Sequence, residues 1–136
     1  MSLAIAGISA AIWIYLIAAR GAFWRASVRD DASAPAPLSW PHVTAVIPAR
    51  NEVDVIAQSL HSLLTQDYPG SFDVILVDDQ SRDGTCAVAA ATAANLQAQD
   101  RLTIVSGRTL PAGWVGKVWA MKQGVDRSEN LPRPPA

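Results

Sequence analysis

The sequence predicts an α/β fold, a Rossmann-like doubly wound parallel sheet preceded by one N-terminal apolar helix. Three observations predict it. Residues 74–77 (VILV) are apolar at every position, as expected for a strand that helices cover on both faces. Two further β-branched runs, residues 43–47 and 102–105, lie on either side of it along the chain. Helical patterns separate these runs, and the order β-α-β-α-β-α favours right-handed crossovers and a parallel sheet.

The remaining elements follow from local signals. Pro48 is expected to end the first strand, and Asn51 is a candidate N-cap for the first helix of the domain. The apolar residues of that helix fall on one stripe, which contains Val53, Ile56, Leu60, Leu63 and Leu64. An alanine-rich helix is predicted over residues 85–98. The last helix is predicted over residues 117–126, after a glycine-containing loop.

An uncharged apolar run occupies residues 3–19 near the N-terminus. As a helix it would rise about 26 Å, close to the roughly 30 Å of a bilayer's hydrocarbon core. Arg20, Arg25 and Arg29 follow it, and no basic residue precedes it, so we expect a transmembrane signal anchor over residues 1–25 with the rest of the chain cytoplasmic. A cleaved signal peptide would carry its basic residues before the run, and a buried core helix would have a polar face.

Residues 26–42 combine prolines with small polar residues and are predicted to be a linker, with the α/β domain over residues 43–136. Eleven basic and twelve acidic residues nearly cancel, which gives no indication of nucleic-acid binding. The single cysteine, Cys86, excludes an internal disulfide and a cysteine-based zinc site. His42 and His61 have no metal-ligand spacing and are interpreted as surface or helix-face residues.

In a sheet of this type a ligand binds beyond the carboxyl ends of the strands. Three polar or glycine-containing segments are predicted to lie there, at residues 48–52, 78–84 and 110–117. We expect them to converge on one edge of the sheet. Their convergence, in this order along the chain, is the main indication of a binding site.

Charged residues in these segments suggest what the site would bind. Asp78 and Asp79 should point to opposite sides of the strand, so that one accepts hydrogen bonds from a base or a ribose and the other fixes a neighbouring loop. Lys117, near a helix N-terminus, is a candidate for a phosphate contact, and Arg50 is a candidate for the base or the diphosphate. Taken singly, an Asp-Asp pair is more often a turn and a helix cap, and a lysine is more often a solvated charge.

Two common nucleotide motifs are absent from the sequence. No Gly-x-Gly-x-x-Gly follows the first strand, so the dinucleotide fingerprint is missing. Gly116-Lys117 is followed by Val118, where a phosphate-binding P-loop needs Ser or Thr. Trp114 and Trp119, which flank this pair, are interpretable as core or interface aromatic residues.

Residues 43–52 (VTAVIPARNE) and 77–85 (VDDQSRDGT) resemble the opening strand and the first acidic motif of the family 2, GT-A fold glycosyltransferases. Residues 19–25 (ARGAFWR) and 110–120 (LPAGWVGKVWA) are most similar to the hopanoid-biosynthesis-associated members, with ceramide-glucosyltransferase-like enzymes next. The resemblance implies a partial GT-A fold and a pocket for the donor nucleotide. The residues that it implies for this pocket are Pro48, Arg50, Glu52, Asp78, Asp79 and Lys117.

The resemblance further implies transfer of a sugar, with inversion, from a nucleotide-sugar donor, a UDP-sugar above all, to a membrane lipid of polyprenyl or hopanoid type. The reaction is expected at the inner membrane of a bacterium. The family's next strand ends in an Asp-x-Asp that binds Mg²⁺ or Mn²⁺, and a later carboxylate acts as general base. This sequence contains no Asp-x-Asp. We therefore expect a fragment or truncated product that holds the donor half of the site, without catalytic or metal-binding residues and without transferase activity of its own.

Two other functions fit parts of the sequence. A membrane-tethered nucleotide-binding module without catalysis would use the same residues. A receiver-like phosphoacceptor domain would need an acidic pair after the first strand, where this chain has Pro48-Ala49-Arg50.

Overall fold

The computed structural model describes residues 2–20 and 37–131. The chain divides into two compact units, Met1–Ala36 and Pro37–Ala136. Helix α1 (Ser2–Ala19) belongs to the first unit. The second contains β1 (Val43–Ala49), α2 (Ile56–Leu64), β2 (Phe72–Asp78), α3 (Thr85–Asn95), a short 3₁₀ helix (Gln99–Arg101), β3 (Leu102–Ser106) and α4 (Gly116–Glu129). The predicted linker residues 26–36, with Arg25 and Arg29, lie outside the described residues.

Helix α1 contains no charged residue, and its described side chains are almost all exposed. Among residues 2–20 and 37–131, no helix combines the length and the apolar character needed to cross a membrane. This finding gives no support to the predicted transmembrane anchor over residues 1–25.

The three strands form one parallel sheet in the order β1-β2-β3, which confirms the predicted α/β class and the parallel pairing. The register places Ala49 opposite Asp78, and Asp78 opposite Ser106. The carboxyl ends of all three strands therefore meet at one edge of the sheet.

Strand β2 is the centre of the core, and residues 74–77 are fully buried. Their side chains alternate between two clusters. Val74 and Leu76 pack with α2 and α3 on one face, whereas Ile75 and Val77 pack with Ala120 of α4 on the other. This two-sided burial explains why the run is apolar at every position.

Helix α4 lies very close to the sheet at Gly124, which is buried. A Cβ atom there would collide with Val46 Cγ1 and lie 3.0 Å from Val77 Cγ2. Glycine at this position lets the helix backbone approach β1 and β2. The first turn of α4 is thereby held beside the carboxyl ends of the strands.

The first helix of the domain begins later than predicted. Strand β1 continues through Pro48 to Ala49, since β1 lies at an edge of the described sheet, where a proline removes no hydrogen bond between strands. Asn51 is not an N-cap: α2 begins at Ile56, after a turn in which the Ile56 N–H donates to the Glu52 carbonyl at 2.9 Å. Helices α3 and α4 end and begin within a few residues of the predicted positions.

His42 also differs from its prediction as a surface residue. It is half-buried, and its Nε2 lies 3.1 Å from Thr44 Oγ1 and 3.4 Å from Asp73 Oδ2. These contacts join the amino ends of β1 and β2, which lie at the opposite edge of the sheet from the predicted binding segments.

Candidate functional site

A cleft of about 330 Å³ lies at the carboxyl edge of the sheet. It is bounded by the end of β1, by the start of the loop after β2 and by the first turns of α4. Its lining residues are Pro48, Ala49, Arg50, Glu52, Asp79, Gly116, Lys117 and Ala120. The structure thus brings five of the six predicted site residues into one cleft, although they come from three separate segments of the chain.

Two opposite charges meet across this cleft. Arg50 Nη1 lies 3.3 Å from Asp79 Oδ2 and donates a hydrogen bond to it. The Arg50 side chain is 64% exposed, whereas that of Asp79 is 18% exposed, so the carboxylate is held at the wall while the guanidinium is largely free to turn. An exposed pair of this kind contributes little to stability, about 0–1 kcal/mol, and its geometry can yield to a ligand.

Asp78 has a different place from Asp79. It does not belong to the cleft lining, and its Oδ1 accepts a hydrogen bond from the Ser81 N–H at 3.1 Å. Its backbone carbonyl accepts from the Gly107 N–H at 2.7 Å, which ties the end of β3 to the end of β2. Of the two consecutive carboxylates, Asp79 faces the cleft and Asp78 holds the loops around it.

The loops after β1 and β2 are joined by side-chain to backbone hydrogen bonds. The Asn51 N–H donates to Ser81 Oγ at 2.9 Å, and the Arg82 N–H donates back to Asn51 Oδ1 at 2.9 Å. The Glu52 N–H donates to Thr85 Oγ1 at 2.9 Å. These bonds fix the backbone between Arg50 and Glu52, two residues that line the cleft.

Asp83 completes this connection. Its carboxylate accepts from the Val53 N–H at 3.0 Å, from the Thr85 N–H at 3.0 Å and from the Thr85 hydroxyl at 2.6 Å. The hydrogen bond from the Thr85 side chain, followed by those from the backbone, lowers the pKa of the Asp83 carboxyl below its usual value despite partial desolvation. Asp83 is therefore charged at neutral pH and organises the loop as an anion.

The same two loops contain residues in the left-handed region of backbone space. Asn51 has φ of 54° and Gln80 has φ of 61°, and Gly84 follows with φ of 93°. Asn and Gly adopt such values readily, whereas at Gln80 the conformation costs about 1–2 kcal/mol. The hydrogen bonds of the neighbouring Ser81 and Asp78 hold the turn in place. Backbone strain that the surrounding structure supports is typical of functional loops.

The third side of the cleft is the N-terminus of α4. Among the residues that the structure describes, no side chain caps this helix. The first helical hydrogen bond runs from the Trp119 N–H to the Val115 carbonyl at 2.9 Å. A Cβ atom on Gly116 would lie 3.5 Å from Asp79 Oδ2, so the small residue keeps the helix backbone open to the cleft. Uncapped N–H groups, the positive end of the helix dipole and the Lys117 ammonium group together favour an anion here.

Sequence reasoning did not single out Ala49, Gly116 or Ala120 as lining residues. Gly116 and Ala120 are four residues apart and share one face of α4. This pair of small residues was the available signal for a helix face that borders a cavity. Ser81 and Thr85, which organise the loops, gave no comparable signal because their partners are about thirty residues away.

The described residues do not provide a metal site. Within residues 2–20 and 37–131, no three His, Cys, Asp or Glu side chains lie close enough together to hold a metal ion. The Mg²⁺ or Mn²⁺ that the resemblance implies would be held by an Asp-x-Asp that this sequence does not contain, and a requirement for it stays a prediction.

Burial raises the pKa of the nearby Cys86 thiol. Asp78 and Asp83 act in the same direction, so this thiol stays protonated.

Comparison with known proteins agrees with this geometry. The sequence profile of glycosyl transferase family 2 matches residues 44–130, which is more than half of the chain and includes every element of the cleft. The chain belongs to glycosyl transferase family 2.

Curated relatives include the 4,4'-diaponeurosporenoate glycosyltransferases of Staphylococcus aureus strains MRSA252, USA300 and NCTC 8325 / PS 47. Each is 39% identical over 83 residues, a match that covers 61% of this chain and 20% of the relative. The matched part thus spans about a fifth of the length of these relatives. No solved structure matches the chain at a significant level.

Proposed function

We propose that residues 37–131 bind the nucleotide of a sugar-nucleotide donor in the cleft between β1, β2 and α4. The observation that carries this proposal is the meeting of Arg50, Asp79 and Lys117, from three separate segments, around one cavity. Membership of glycosyl transferase family 2 supports it, since transfer of a sugar requires an activated donor.

The two signs of charge in the cleft suit the two ends of a nucleoside diphosphate. Asp79 and Glu52 offer carboxylate oxygens, which accept hydrogen bonds from ribose hydroxyls and from the N–H groups of a base. Lys117 and the free N–H groups of the first turn of α4 would receive the diphosphate. Arg50 contacts Asp79 and would exchange this contact for one with the ligand.

The cleft has an appropriate size for part of such a donor. Ligand pockets commonly enclose about 300–1,000 Å³, and the cleft here encloses about 330 Å³. This volume suits the nucleotide better than the nucleotide and the sugar together. We therefore propose that these residues form the donor-nucleotide part of a transferase site. The base is proposed to be uracil and the reaction to proceed with inversion, following the family resemblance.

For the acceptor we propose a lipid-type molecule. The support is the name of the relatives, which act on 4,4'-diaponeurosporenoate. Three further points stay predictions from the resemblance of residues 43–52, 77–85 and 110–120. They are a polyprenyl or hopanoid acceptor, a reaction at the bacterial inner membrane, and a requirement for Mg²⁺ or Mn²⁺.

Titration calorimetry of the chain with UDP tests the donor proposal, with inorganic phosphate and ADP as comparison ligands. We expect saturable binding of UDP that is tighter than that of either comparison ligand. Equal affinity for phosphate and UDP would indicate a simple anion site at the α4 terminus. No binding of UDP at concentrations up to several millimolar would overturn the proposal.

A further inference from the structure

Helix α4 holds Arg108, the second residue after β3, through two of its side chains. Gln123 is 4% exposed, and its Oε1 accepts from the Arg108 N–H at 2.7 Å and from Arg108 Nε at 3.3 Å. The indole Nε1–H of Trp119 donates to the Arg108 carbonyl at 3.1 Å. Both backbone polar groups of Arg108 are thus satisfied by one helix.

The contact is reinforced around the Trp119 ring. The Arg108 guanidinium lies 5.5 Å from the centroid of this ring. The Trp114 ring packs edge to face against the Trp119 ring, with 5.2 Å between the two ring centroids. Gln123 Nε2 donates to the Trp119 carbonyl at 3.3 Å, so the buried amide uses both its ends. We call Arg108, Trp119 and Gln123 the loop clasp.

The loop clasp connects the end of the sheet to the start of α4. Gly107, next to Arg108, is bonded to Asp78 at the end of β2, and a Cβ atom on Gly107 would lie 2.8 Å from the Asp78 carbonyl oxygen. Trp119 lies two residues after Lys117 on α4. The position of Lys117 relative to Asp79 is therefore set by a short series of contacts through Gly107 and the clasp.

We infer that Trp119 and Gln123 are positioning residues for the diphosphate end of the donor. They touch no ligand in the proposed arrangement and do not line the cleft. They act through Lys117 and the N–H groups of Gly116 and Lys117, which they hold at a fixed distance from Asp79. This inference rests on the proposed function, because it assigns the clasp to one part of the proposed ligand.

The inference separates the two ends of the ligand. Loosening the clasp displaces the first turn of α4, which faces the diphosphate. It leaves Arg50 and Glu52 in place, because both belong to the loop after β1. Affinity for UDP should therefore fall, while affinity for uridine, which lacks phosphate, should hold. A general loss of fold would lower both affinities together.

Trp119→Phe in the full chain is the principal test, because phenylalanine keeps one aromatic ring and removes the N–H donor to Arg108 together with the second ring of the indole. Trp40→Phe is the matched control, since Trp40 is also partly exposed and packs against Tyr68 outside the cleft. We expect Trp119→Phe to weaken UDP binding about five- to tenfold and uridine binding less than twofold, with both affinities unchanged in the control. Parallel loss of both ligands, or no loss of either, would overturn the inference.

A second pair of variants covers the buried amide. Gln123→Met fills the same space without hydrogen bonds, and Gln123→Glu keeps the acceptor for Arg108. The preference for UDP over uridine should fall in Gln123→Met and be largely retained in Gln123→Glu. If Gln123→Met is unfolded by circular dichroism, Trp119→Phe decides alone.

Amide hydrogen exchange gives a measurement that needs no ligand. In Trp119→Phe, exchange should accelerate at Arg108 and at the first hydrogen-bonded amides of α4, residues 119–121, and stay unchanged in α2. Unchanged exchange at residues 119–121 would overturn the inference. If the unaltered chain binds neither UDP nor uridine, the proposed function fails and the assignment to a diphosphate fails with it, even where exchange shows that the clasp holds the loop.

Discussion

Thr85 lies at the start of α3 and is fully buried, and its hydroxyl is hydrogen-bonded to the backbone of Glu52 in the loop after β1. The Thr85 hydroxyl accepts from the Glu52 N–H and donates to the Asp83 carboxylate, so one side chain joins two loops and an anion. Because Glu52 lines the cleft, the shape of the candidate site depends on a residue that does not itself border the cavity.

Replacing Thr85 with valine keeps its shape and removes its hydroxyl. The Glu52 N–H then loses its acceptor and Asp83 loses one donor, so the free energy of unfolding should fall by about 1–3 kcal/mol. Urea denaturation followed by circular dichroism measures this change. The control is Thr92→Val in the same helix, whose hydroxyl donates to the Val88 carbonyl within a helical turn. A loss at position 85 no larger than at position 92 would contradict the prediction.

The ionisation of Asp83 should make the stability of the fold depend on pH. Its pKa is lowered in the folded state, chiefly by the Thr85 hydroxyl. The stabilisation is therefore fully present above the usual carboxyl pKa of about 4 and is lost as the pH falls through the lower folded value. Urea midpoints at pH 7, 4 and 3 should fall more steeply for the unaltered chain than for Asp83→Asn. Asp67→Asn, at an exposed aspartate after α2, should keep the slope of the unaltered chain, and an equal change of slope in both variants would refute the assignment.

Close packing of α4 on the sheet gives a prediction about Gly124. An alanine in a helix is ordinarily about 1 kcal/mol more favourable than a glycine. Here its methyl group would meet Val46 and Val77, and overpacking costs about 1–3 kcal/mol. The net effect of Gly124→Ala should therefore be to lower the free energy of unfolding by up to about 2 kcal/mol. The control is Val125→Ala at an exposed position on the same helix, which should change it by less than about 0.5 kcal/mol. A more stable Gly124→Ala would show that α4 can move away from the sheet.

The strands were predictable because their signal is local. Residues 74–77 are buried by helices on both faces, so every side chain is apolar and the run identifies itself in the sequence. The prediction that Pro48 ends the first strand was wrong. Proline is excluded from a central strand but is tolerated in an edge strand, and the sequence around Pro48 does not show where β1 lies in the sheet. Convergence of Arg50, Asp79 and Lys117 followed from the parallel order of the strands alone.

The loops were less predictable because their bonds are long-range. Asn51 has the composition of an N-cap, but its side chain accepts a hydrogen bond from Arg82, which is remote in sequence. Its left-handed backbone belongs to this contact, and α2 begins five residues later. Which of Asp78 and Asp79 faces the cleft depended in the same way on the Ser81 turn. The alternation of side-chain directions along a strand predicted that Asp78 and Asp79 point to opposite sides, but it did not predict which of them faces the cavity.

Removing either charge that we assign to the donor should weaken nucleotide binding with the fold intact. Lys117→Gln removes the ammonium group at the α4 terminus, and Asp79→Asn removes the carboxylate at the cleft wall. Hydrogen bonds to charged groups contribute about 1.5–3 kcal/mol, so each variant should bind UDP about ten- to a hundredfold more weakly by titration calorimetry. Urea midpoints should stay close to that of the unaltered chain, because Lys117 is exposed and the contact of Asp79 with Arg50 is weak.

Lys122→Gln is the matched control for Lys117→Gln, since Lys122 lies on the same helix and pairs with Asp126 away from the cleft. It should leave the affinity for UDP unchanged. Raising the salt concentration should weaken UDP binding to the unaltered chain more than to Lys117→Gln, because the variant has one charge fewer for the diphosphate. If Lys117→Gln and Lys122→Gln behaved alike, attraction by net positive charge would account for the binding, and the placement of Lys117 beside Asp79 would have no part in it.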